Sequence, residues 1–288
     1  MQQLIANAII IGSIYALIAA GFSVVYNVQR FFYIAHGAII SVSAFAFHLF
    51  FISLNFHFCI ALLAAISISL IIGVLNEILI HRPLRLHSAR NLSLFMASSA
   101  SLLLIQSFLL FIFGPATLTY QWALTTVAFA GIRITQTQIM VVVSSLSLFC
   151  ILLLFMRRTF LGRSLRALAD SVELARSCGL PISRLYLIAI CASAALGSVG
   201  GILQSFEQDL RFDMGMFAVL KGIIASIIGG VGSVPGALVG GFLLGLIENL
   251  STWFLPSGYK NVVSSLVLIG FLLFKPNGLM GSKVLKGR

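Results

Sequence analysis

Ionisable side chains are scarce inside the apolar stretches of this sequence, and those that occur there are the first candidates for chemistry. Lys221 and Glu248 both fall in a glycine-rich apolar region, residues 216–250. A charge in lipid is costly and usually faces a partner or a water-filled cavity. If the region folds back on itself, the two side chains could meet at one depth. They would then form a salt bridge that only holds the fold, or they would line a path for a polar solute.

A histidine at the start of the second apolar stretch is the other polar candidate. His36 stands in the sequence Tyr33-Ile34-Ala35-His36-Gly37. No cysteine, aspartate or second histidine lies at a metal-ligand spacing from it, which disfavours a metal site. Buried polar groups usually find a hydrogen-bond partner, so we interpret His36 as a bonded residue at a helix end. A proton relay is the alternative, although no chain of acids accompanies it.

Sequence signatures of catalysis are absent from the chain. No G-x-x-x-x-G-K-[ST] occurs, so we expect the chain not to hydrolyse ATP itself. Neither G-x-S-x-G nor H-E-x-x-H is found, and no paired-carboxylate signature appears. The four cysteines have no CxxC spacing. We therefore predict a protein that is not an enzyme and that binds no metal or cofactor of its own.

A polar segment, residues 157–184, separates two apolar stretches and contains six arginines. Asp170 suits the N-cap of a helix, and Glu173 stands three residues later in the reciprocal capping position. This pattern predicts a short helix over about 171–178.

The sequence also predicts where this short helix ends. Gly179 suits the left-handed position after a helix, and Pro181 follows where a helix cannot continue. One face of the helix would carry apolar side chains, namely Val172, Ala175 and the Leu174/Cys178 pair at i, i+4 spacing. Such a helix could dock in the groove of a partner protein, or it could rest on lipid headgroups with its arginines near anionic lipid. Spacing alone does not choose between the two.

Composition identifies the environment of the elements that carry these residues. Hydrophobic residues make up 60% of the 288 residues, charged residues only 9%, and the mean hydropathy is +1.10. A soluble domain would carry about a quarter charged residues, so the solvent of this chain must be lipid. Apolar stretches of spanning length lie at 4–28, 34–54, 58–80, 92–113, 137–156, 185–206 and 260–274.

The glycine-rich region 216–250 is longer than one span. It is interrupted by Gly229, Gly230, Gly232 and Gly236, and we expect it to turn at Gly232–Gly236 as two passes or as a re-entrant hairpin. Glycines four residues apart let helix backbones approach closely, which explains the pattern by packing alone. Glycine-rich broken helices can also rearrange or line a cavity. The two interpretations are compatible.

The positions of the basic residues set the orientation of the chain. Its net charge is +11, but the basic residues cluster in short segments between apolar stretches. This is the positive-inside pattern, and it disfavours nucleic-acid binding. Fourteen of the eighteen basic residues lie at Arg30, in segments 81–90 and 157–184, and in the tail after residue 274. We place all of these segments in the cytoplasm. The N-terminus then falls on the opposite side, together with the acidic segment 207–215.

These observations together predict the fold class. We expect an all-α, polytopic membrane helix bundle of eight or nine transmembrane segments, with a glycine-rich broken or re-entrant region. Residues 1–288 would form a single transmembrane domain with the polar segment 157–184 in the cytoplasm.

Several short motifs, in their order and spacing, give the sequence a recognisable likeness. Each motif alone is weak evidence, but together they form a specific signal that runs nearly the whole length of the chain. On this basis the chain resembles the permease subunits of the branched-chain amino-acid (Liv-type) ABC transporters. The motifs are Gly12-Ser13-Ile14-Tyr15-Ala16-Leu17, Ala35-His36-Gly37, Arg82-Pro83-Leu84-Arg85, Leu161-Gly162-Arg163, Arg166-Ala167, Leu220-Lys221, Gly229-Gly230-Val231-Gly232-Ser233-Val234-Pro235-Gly236-Ala237, Pro256-Ser257-Gly258-Tyr259-Lys260 and Lys275-Pro276-Asn277-Gly278-Leu279.

The resemblance implies a division of labour among subunits in a bacterial inner membrane. A periplasmic binding protein would deliver a branched-chain or related apolar amino acid, and two cytoplasmic ATPase subunits would use the ATP. A second permease, like or unlike, would pair with this chain. Glu173, Ala175 and Gly179 would fall in the cytoplasmic coupling loop of the family, and segment 207–215 would face the binding protein. Relatives of the same fold carry urea, short amides or other amino acids.

A transporter that works alone is the competing functional class. It should show membrane-buried acids for ion coupling, or inverted repeats. Only Lys221 and Glu248 are available for such a role, so we favour the multi-subunit importer.

Overall fold

A computed structural model describes residues 2–120, 126–129 and 132–280 of the chain. Most of these residues belong to helices. The α-helices are α1 Gln2–Gln29, α2 His36–His48, α3 Phe58–Asn76, α4 Arg82–Leu86, α5 Asn91–Phe113, α6 Gln136–Arg158, α7 Phe160–Asp170, α8 Val172–Ser177, α9 Ile182–Glu207, α10 Met214–Gly229, α11 Val234–Ser251 and α12 Lys260–Phe274. Turns of π-helix extend α2 over Leu49–Ser53 and join α3 to α4 over Glu77–His81, and a 3₁₀ turn, Ser257–Tyr259, precedes α12.

The predicted fold class, an all-α polytopic membrane bundle, is confirmed. Within the described ranges, eight helical segments are long and apolar enough to cross a membrane. α10, with 16 residues, is a shorter apolar helix. With α10, the described ranges contain nine apolar helical segments. The chain is therefore a multi-pass membrane protein.

One small β-hairpin departs from the all-helical expectation. Strands β1, Thr126–Phe129, and β2, Ile132–Thr135, pair antiparallel, with Thr126 opposite Thr135. The hairpin connects α5 to α6, and Thr135 then caps α6, its side chain accepting a hydrogen bond from the Gln138 amide. Four-residue strands carry too little periodicity to be separated from loop in an apolar sequence.

The first helix lies at the centre of the bundle. The most apolar part of α1 is 89% buried, whereas the segment Ser257–Phe274, which contains α12, is 6% buried. Small residues allow α1 and α11 to pack backbone to backbone, because a Cβ at Gly245 would overlap Gly12 and a Cβ at Gly241 would overlap Ala16. This close contact is the packing role expected of glycines spaced four apart.

Hydrogen bonds identify the segments that share the face carrying the N-terminus. The Gln3 side chain donates to the Arg133 carbonyl oxygen and accepts from the Arg133 amide, both at 3.1 Å. A two-residue bridge between Leu118 and Leu210 joins the α5–α6 connection to the segment after α9. The predicted grouping of the N-terminus with segment 207–215 is therefore correct.

The opposite face gathers the basic segments. Nη2 of Arg30 donates to the carbonyl oxygen of Ala169, at 2.6 Å, which joins the end of α1 to segment 157–184. The Leu279 amide donates to the Ile228 carbonyl oxygen, at 2.9 Å, so the first residues of the tail lie beside the end of α10. The charge-based grouping of these segments is thereby supported as far as residue 280. The rest of the basic tail, residues 281–288, lies outside the described residues.

The glycine-rich region folds as a tight helical hairpin of α10 and α11. The turn lies at 230–233, where Gly230 and Gly232 have φ values of +114° and +84° that favour glycine. The expected turn at Gly232–Gly236 was therefore placed too late. Gly236 lies in the first turn of α11, where its amide donates to the Ser233 hydroxyl, and it packs against Gly229 at the end of α10.

Candidate functional site

The two charged residues of the glycine-rich region meet. Nζ of Lys221, on α10, forms a salt bridge with Oε1 of Glu248, on α11, and their side chains are 10% and 1% exposed. The predicted approach of these residues is confirmed. It follows from the hairpin, which brings the two helices side by side in opposite directions.

Two further residues complete this ionic cluster, and sequence reasoning missed both of them. The Tyr15 hydroxyl on α1 donates a hydrogen bond of 2.9 Å to Oε2 of Glu248. The Ser264 hydroxyl on α12 accepts from the Lys221 ammonium and also contacts Oε1 of Glu248. No sequence signal separates Ser264 from the other serines. Tyr15 lies in the Gly12–Leu17 motif, which was used only for the resemblance.

Four helices therefore converge on one carboxylate. The close approach of α11 to α1, which the glycines at 12, 241 and 245 permit, brings the Tyr15 ring within reach of Glu248. Because both oxygens of Glu248 accept hydrogen bonds and one also faces a cation, the buried charge is compensated. Removal of Lys221 or of Glu248 alone would leave the other charge uncompensated in a site of low dielectric constant.

A polar cavity opens above the cluster, on the face that carries segment 207–215. Its volume is about 370 Å³, within the range of small-molecule sites. Three acidic and three basic side chains are among its described lining residues, so the charges of the lining balance. These are Asp209, Asp213 and Glu248 against Arg211, Lys221 and Lys260.

One ion pair and one bonded lysine lie among the other charged lining residues. Arg211 donates two hydrogen bonds of 3.1 Å to the carboxylate of Asp213, and this pair is more exposed than the cluster below. Lys260 donates to Oδ1 of Asn249 at 3.3 Å. Gln204, another lining residue, is only 5% exposed. Its Nε2 donates to Oε1 of Gln208, whereas its own Oε1 finds no hydrogen-bond partner among the described residues. A buried acceptor without a partner therefore belongs to a side chain that lines the cavity.

His36 lies outside this cluster and is not a lining residue of the cavity. It is fully buried at the start of α2, and its Nδ1 lies 3.0 Å from the Ser193 hydroxyl of α9. The imidazole packs against the backbone of Gly21 and Gly197. The interpretation of His36 as a bonded residue at a helix end is confirmed, and its contacts join α1, α2 and α9.

The polar segment 157–184 contains two helices, of which the sequence predicted only the second. α7 extends to Asp170, so the prediction of Asp170 as the N-cap of the short helix was wrong. Ser171, with extended backbone angles of φ −155° and ψ +121°, is the N-cap, and its hydroxyl accepts from the Leu174 amide. Glu173 then lies in the first turn of α8 and is not part of a capping box. Its negative charge interacts favourably with the positive end of the helix dipole.

The predicted end of the short helix is present, but the predicted single apolar face is not, because Ala175 is buried whereas Leu174 and Cys178 are exposed. Gly179 follows α8 with φ +75°, as expected of a left-handed residue after a helix, and Pro181 directly precedes α9. Ala175 is buried, whereas Asp170, Glu173 and Gly179 are exposed.

The outer surface of α7 and α8 is partly apolar. Phe160 and Leu174 are each 69% exposed. On the inward side, Gly162 packs against the backbone of Met156 in α6, and Arg30 holds the end of α7 through Ala169. The segment is thus fixed to α6 and α1 by one side and offers apolar side chains on the other.

A second polar cavity, of about 550 Å³, lies beside this segment. It is lined by Arg82, Arg85 and Arg176 among others. Of these, Arg85 forms a salt bridge with the buried Glu77 and lies 4.4 Å from the ring centroid of Tyr186. The contact with Tyr186 joins α4 to α9.

Comparison with known proteins places the chain in a family of transport subunits. A family model described as "Branched-chain amino acid transport system / permease component" matches residues 4–272. The high-affinity branched-chain amino acid transport system permease protein LivH of Escherichia coli (strain K12) is 29% identical over 296 residues, which cover 98% of this chain and 95% of LivH. The corresponding protein BraD of Pseudomonas aeruginosa is 30% identical over 308 residues, with the same coverage.

A partial match and one negative result complete the comparison. The autoinducer 2 import system permease protein LsrC of Klebsiella pneumoniae subsp. pneumoniae is 30% identical over 126 residues, which cover 40% of this chain and 36% of LsrC. No solved structure matches the chain. The match to the family model covers almost the whole chain, and the full-length relatives carry the same description. The chain belongs to the family of permease components of branched-chain amino acid transport systems.

Proposed function

We propose that this chain is the permease subunit of a binding-protein-dependent ABC importer that moves branched-chain or related apolar amino acids across the bacterial inner membrane. The observation that carries the proposal is the end-to-end similarity to LivH and BraD, over 98% of this chain. The chain itself would bind no cofactor and would hydrolyse no ATP. It would contribute the membrane path.

The partners that we propose are a second permease, two ATPase subunits and a periplasmic binding protein. α7 and α8 suit the ATPase contact, because they expose Phe160 and Leu174 next to a helix end. The segment after α9, with Asp209 and the Arg211–Asp213 pair, suits the contact with the binding protein on the opposite face. In this orientation, segment 157–184 and the C-terminus are cytoplasmic.

The geometry suggests how movement at the ATPases would reach the membrane path. Along the chain, α7 and α8 connect α6 to α9, and Arg30 joins the end of α7 to α1. α1 in turn carries Tyr15, which bonds to Glu248. Displacement of α8 by closing ATPases would therefore tilt α6 and α9 and pull on α1. These movements would change access to the cavity above Lys221 and Glu248 on the other face. The ATPase cycle would drive this population shift.

Reconstitution tests the proposal. The chain is placed in liposomes with its candidate partner permease, ATPases and binding protein, and uptake of radiolabelled leucine is followed with ATP inside. We expect uptake that requires both ATP and the loaded binding protein. Uptake of leucine by the chain alone, driven by an ion gradient without ATP, would refute the importer assignment in favour of a secondary transporter.

A different substrate within the same importer class is the second candidate. The partial match to a permease of an autoinducer 2 import system is an observation in its favour, and urea, short amides or other amino acids are further options. Ligand retention by the associated binding protein discriminates among them. Leucine, isoleucine or valine recovered from the purified binding protein supports the first assignment, and any other ligand replaces it.

A further inference from the structure

We propose that the cavity above Lys221 and Glu248 is a transient binding site for the zwitterionic backbone of an amino acid. The substrate carboxylate would bind to Lys221, and its ammonium group would bind to Glu248 and to Oε1 of Gln204. This inference rests on the proposed function and assigns a substrate-contacting role to a cluster that could otherwise be structural.

The charge of the cavity favours a ligand of zero net charge. Its described lining residues balance three acids against three bases, so neither a cation nor an anion is attracted as such. A zwitterion nevertheless carries a full charge at each end. It is attracted to a site in which opposite charges lie close together, and the ion pair at the floor is such a site.

The burial of the pair adds selectivity for a ligand that has both charges. The Lys221 and Glu248 side chains are 10% and 1% exposed, so separating them leaves two charges without full hydration. A ligand with only one charge can satisfy one of them. A zwitterion can satisfy both at once, because its carboxylate and ammonium group sit on the same carbon atom. The exchange replaces one ion pair with two and leaves neither protein charge without a partner.

Polar groups around the pair are placed to receive such a ligand. The Tyr15 hydroxyl holds Oε2 of Glu248 at 2.9 Å and keeps the carboxylate in position when Lys221 moves away. The Ser264 hydroxyl lies between the two charges and can follow either of them. Oε1 of Gln204 is a buried acceptor without a partner in the described part of the chain, and an ammonium group has three donors.

The first experiment separates substrate contact from structural pairing. The double variant Lys221→Met/Glu248→Gln keeps the approximate shape of both side chains and removes both charges. A second double variant, Glu77→Gln/Arg85→Met, neutralises the buried pair on the opposite face and is the matched control. Both are assayed in proteoliposomes with the complete complex, as leucine molecules imported per ATP hydrolysed.

We expect this ratio to fall about tenfold to a hundredfold in Lys221→Met/Glu248→Gln, the range for loss of charged hydrogen-bond partners. The control should keep the wild-type ratio. A wild-type ratio in Lys221→Met/Glu248→Gln would overturn the proposal, and so would an equal fall in both double variants.

A second measurement uses the wild-type chain, so it does not depend on whether a variant folds. The permease–ATPase complex, without binding protein, is titrated with leucine, with 4-methylpentanoate, which lacks the amino group, and with 3-methylbutylamine, which lacks the carboxylate. We expect leucine to bind at least about tenfold more tightly than either analogue. Equal binding of an analogue, or no binding of leucine, would overturn the site. Failure of the proposed importer function is distinct, because it would appear as absent ATP-dependent uptake in the wild-type complex.

Discussion

The Tyr15 hydroxyl donates a 2.9 Å hydrogen bond to Oε2 of Glu248, although 233 residues separate the two in the chain. The bond joins the central helix α1 to the second arm of the α10–α11 hairpin. It also leaves Oε1 of the same carboxylate for Lys221 and Ser264. Glu248 of the hairpin is therefore held by α1, and Arg30, which directly follows α1, contacts the end of α7.

Tyr15→Phe tests the strength of this connection. The substitution removes one hydrogen bond to a buried carboxylate and changes the volume very little, so we expect a loss of about 1.5–3 kcal/mol in the stability of the folded state. Thermal unfolding of the purified protein in detergent measures it. Tyr259→Phe is the control, because Tyr259 is 53% exposed. Equal melting temperatures for the two variants would contradict the role assigned to Tyr15.

Gly241→Ala tests the close packing of α1 and α11. An added Cβ would lie 2.7 Å from the Cβ of Ala16 and closer still to its backbone, so the helices must separate. We expect overpacking to cost on the order of 1–3 kcal/mol and to reduce the amount of folded protein in membranes.

The control for this substitution is Gly270→Ala on α12. Apart from its chain neighbours and the adjacent backbone of α12, no described atom lies within 4 Å of the Cβ that this change would add. Alanine favours helix over glycine, so Gly270→Ala should be neutral or slightly stabilising. Similar losses from both substitutions would argue that the glycines matter for chain flexibility rather than for packing.

Ser171→Ala tests which residue caps α8. Ser171 accepts from the Leu174 amide, and loss of an N-cap costs about 1 kcal/mol. Hydrogen exchange of the α8 amides, measured by mass spectrometry, should therefore accelerate several-fold. Asp170→Ala is the comparison, because Asp170 belongs to α7. If Asp170→Ala accelerated exchange in α8 more than Ser171→Ala, the cap assignment would be incorrect.

Labelling of Cys178 tests the orientation of the chain. Cys178 is exposed at the end of α8. In a variant with the other three cysteines replaced by serine, a membrane-impermeant maleimide should label Cys178 in inside-out vesicles and not in intact spheroplasts. A second variant, with all four native cysteines replaced and Arg211→Cys added, should show the opposite pattern. Labelling of Cys178 from the outside would invert the proposed topology.

Arg85→Met tests the ion pair beside the polar segment. Its partner Glu77 is 1% exposed, so removal of the arginine leaves a buried carboxylate without its cation. We expect destabilisation on the order of 3 kcal/mol, reduced by the partial exposure of Arg85. Addition of Glu77→Gln should restore part of this loss in a thermal unfolding assay. Arg82→Met, at an exposed position, is the control and should change stability little. No recovery in the double variant would mean that Arg85 acts mainly through Tyr186.

Much of the fold could be predicted because lipid imposes a simple rule on the sequence. Spans must be apolar over about 20 residues and basic loops favour the cytoplasm, so the bundle and the grouping of its loops followed from composition and charge. The meeting of Lys221 with Glu248 was also predictable, because the region between them was too long for one span and had to turn back. The exact turn was not predictable, since several glycines could have formed it.

Local errors arose where two helices compete for the same residues. Asp170 has the right chemistry for an N-cap, but α7 continues through it, and a residue with helical backbone angles cannot cap the next helix. Ser171 has the extended backbone, so it ends α7 and begins α8. The sequence contains both candidates one residue apart and does not separate them.

The amino-acid sequence by itself determined that the chain lies in lipid, how its loops are grouped and which family it belongs to, and it predicted the number of membrane crossings to within one. Each of these properties depends on hydropathy, charge or motif order along the chain. The tertiary structure alone decided that Tyr15 and Ser264 join the Lys221–Glu248 pair, and that a charge-balanced cavity opens above it. Those contacts depend on how closely four helices approach one another. That distance is set by packing between residues far apart in the chain, which no local pattern records.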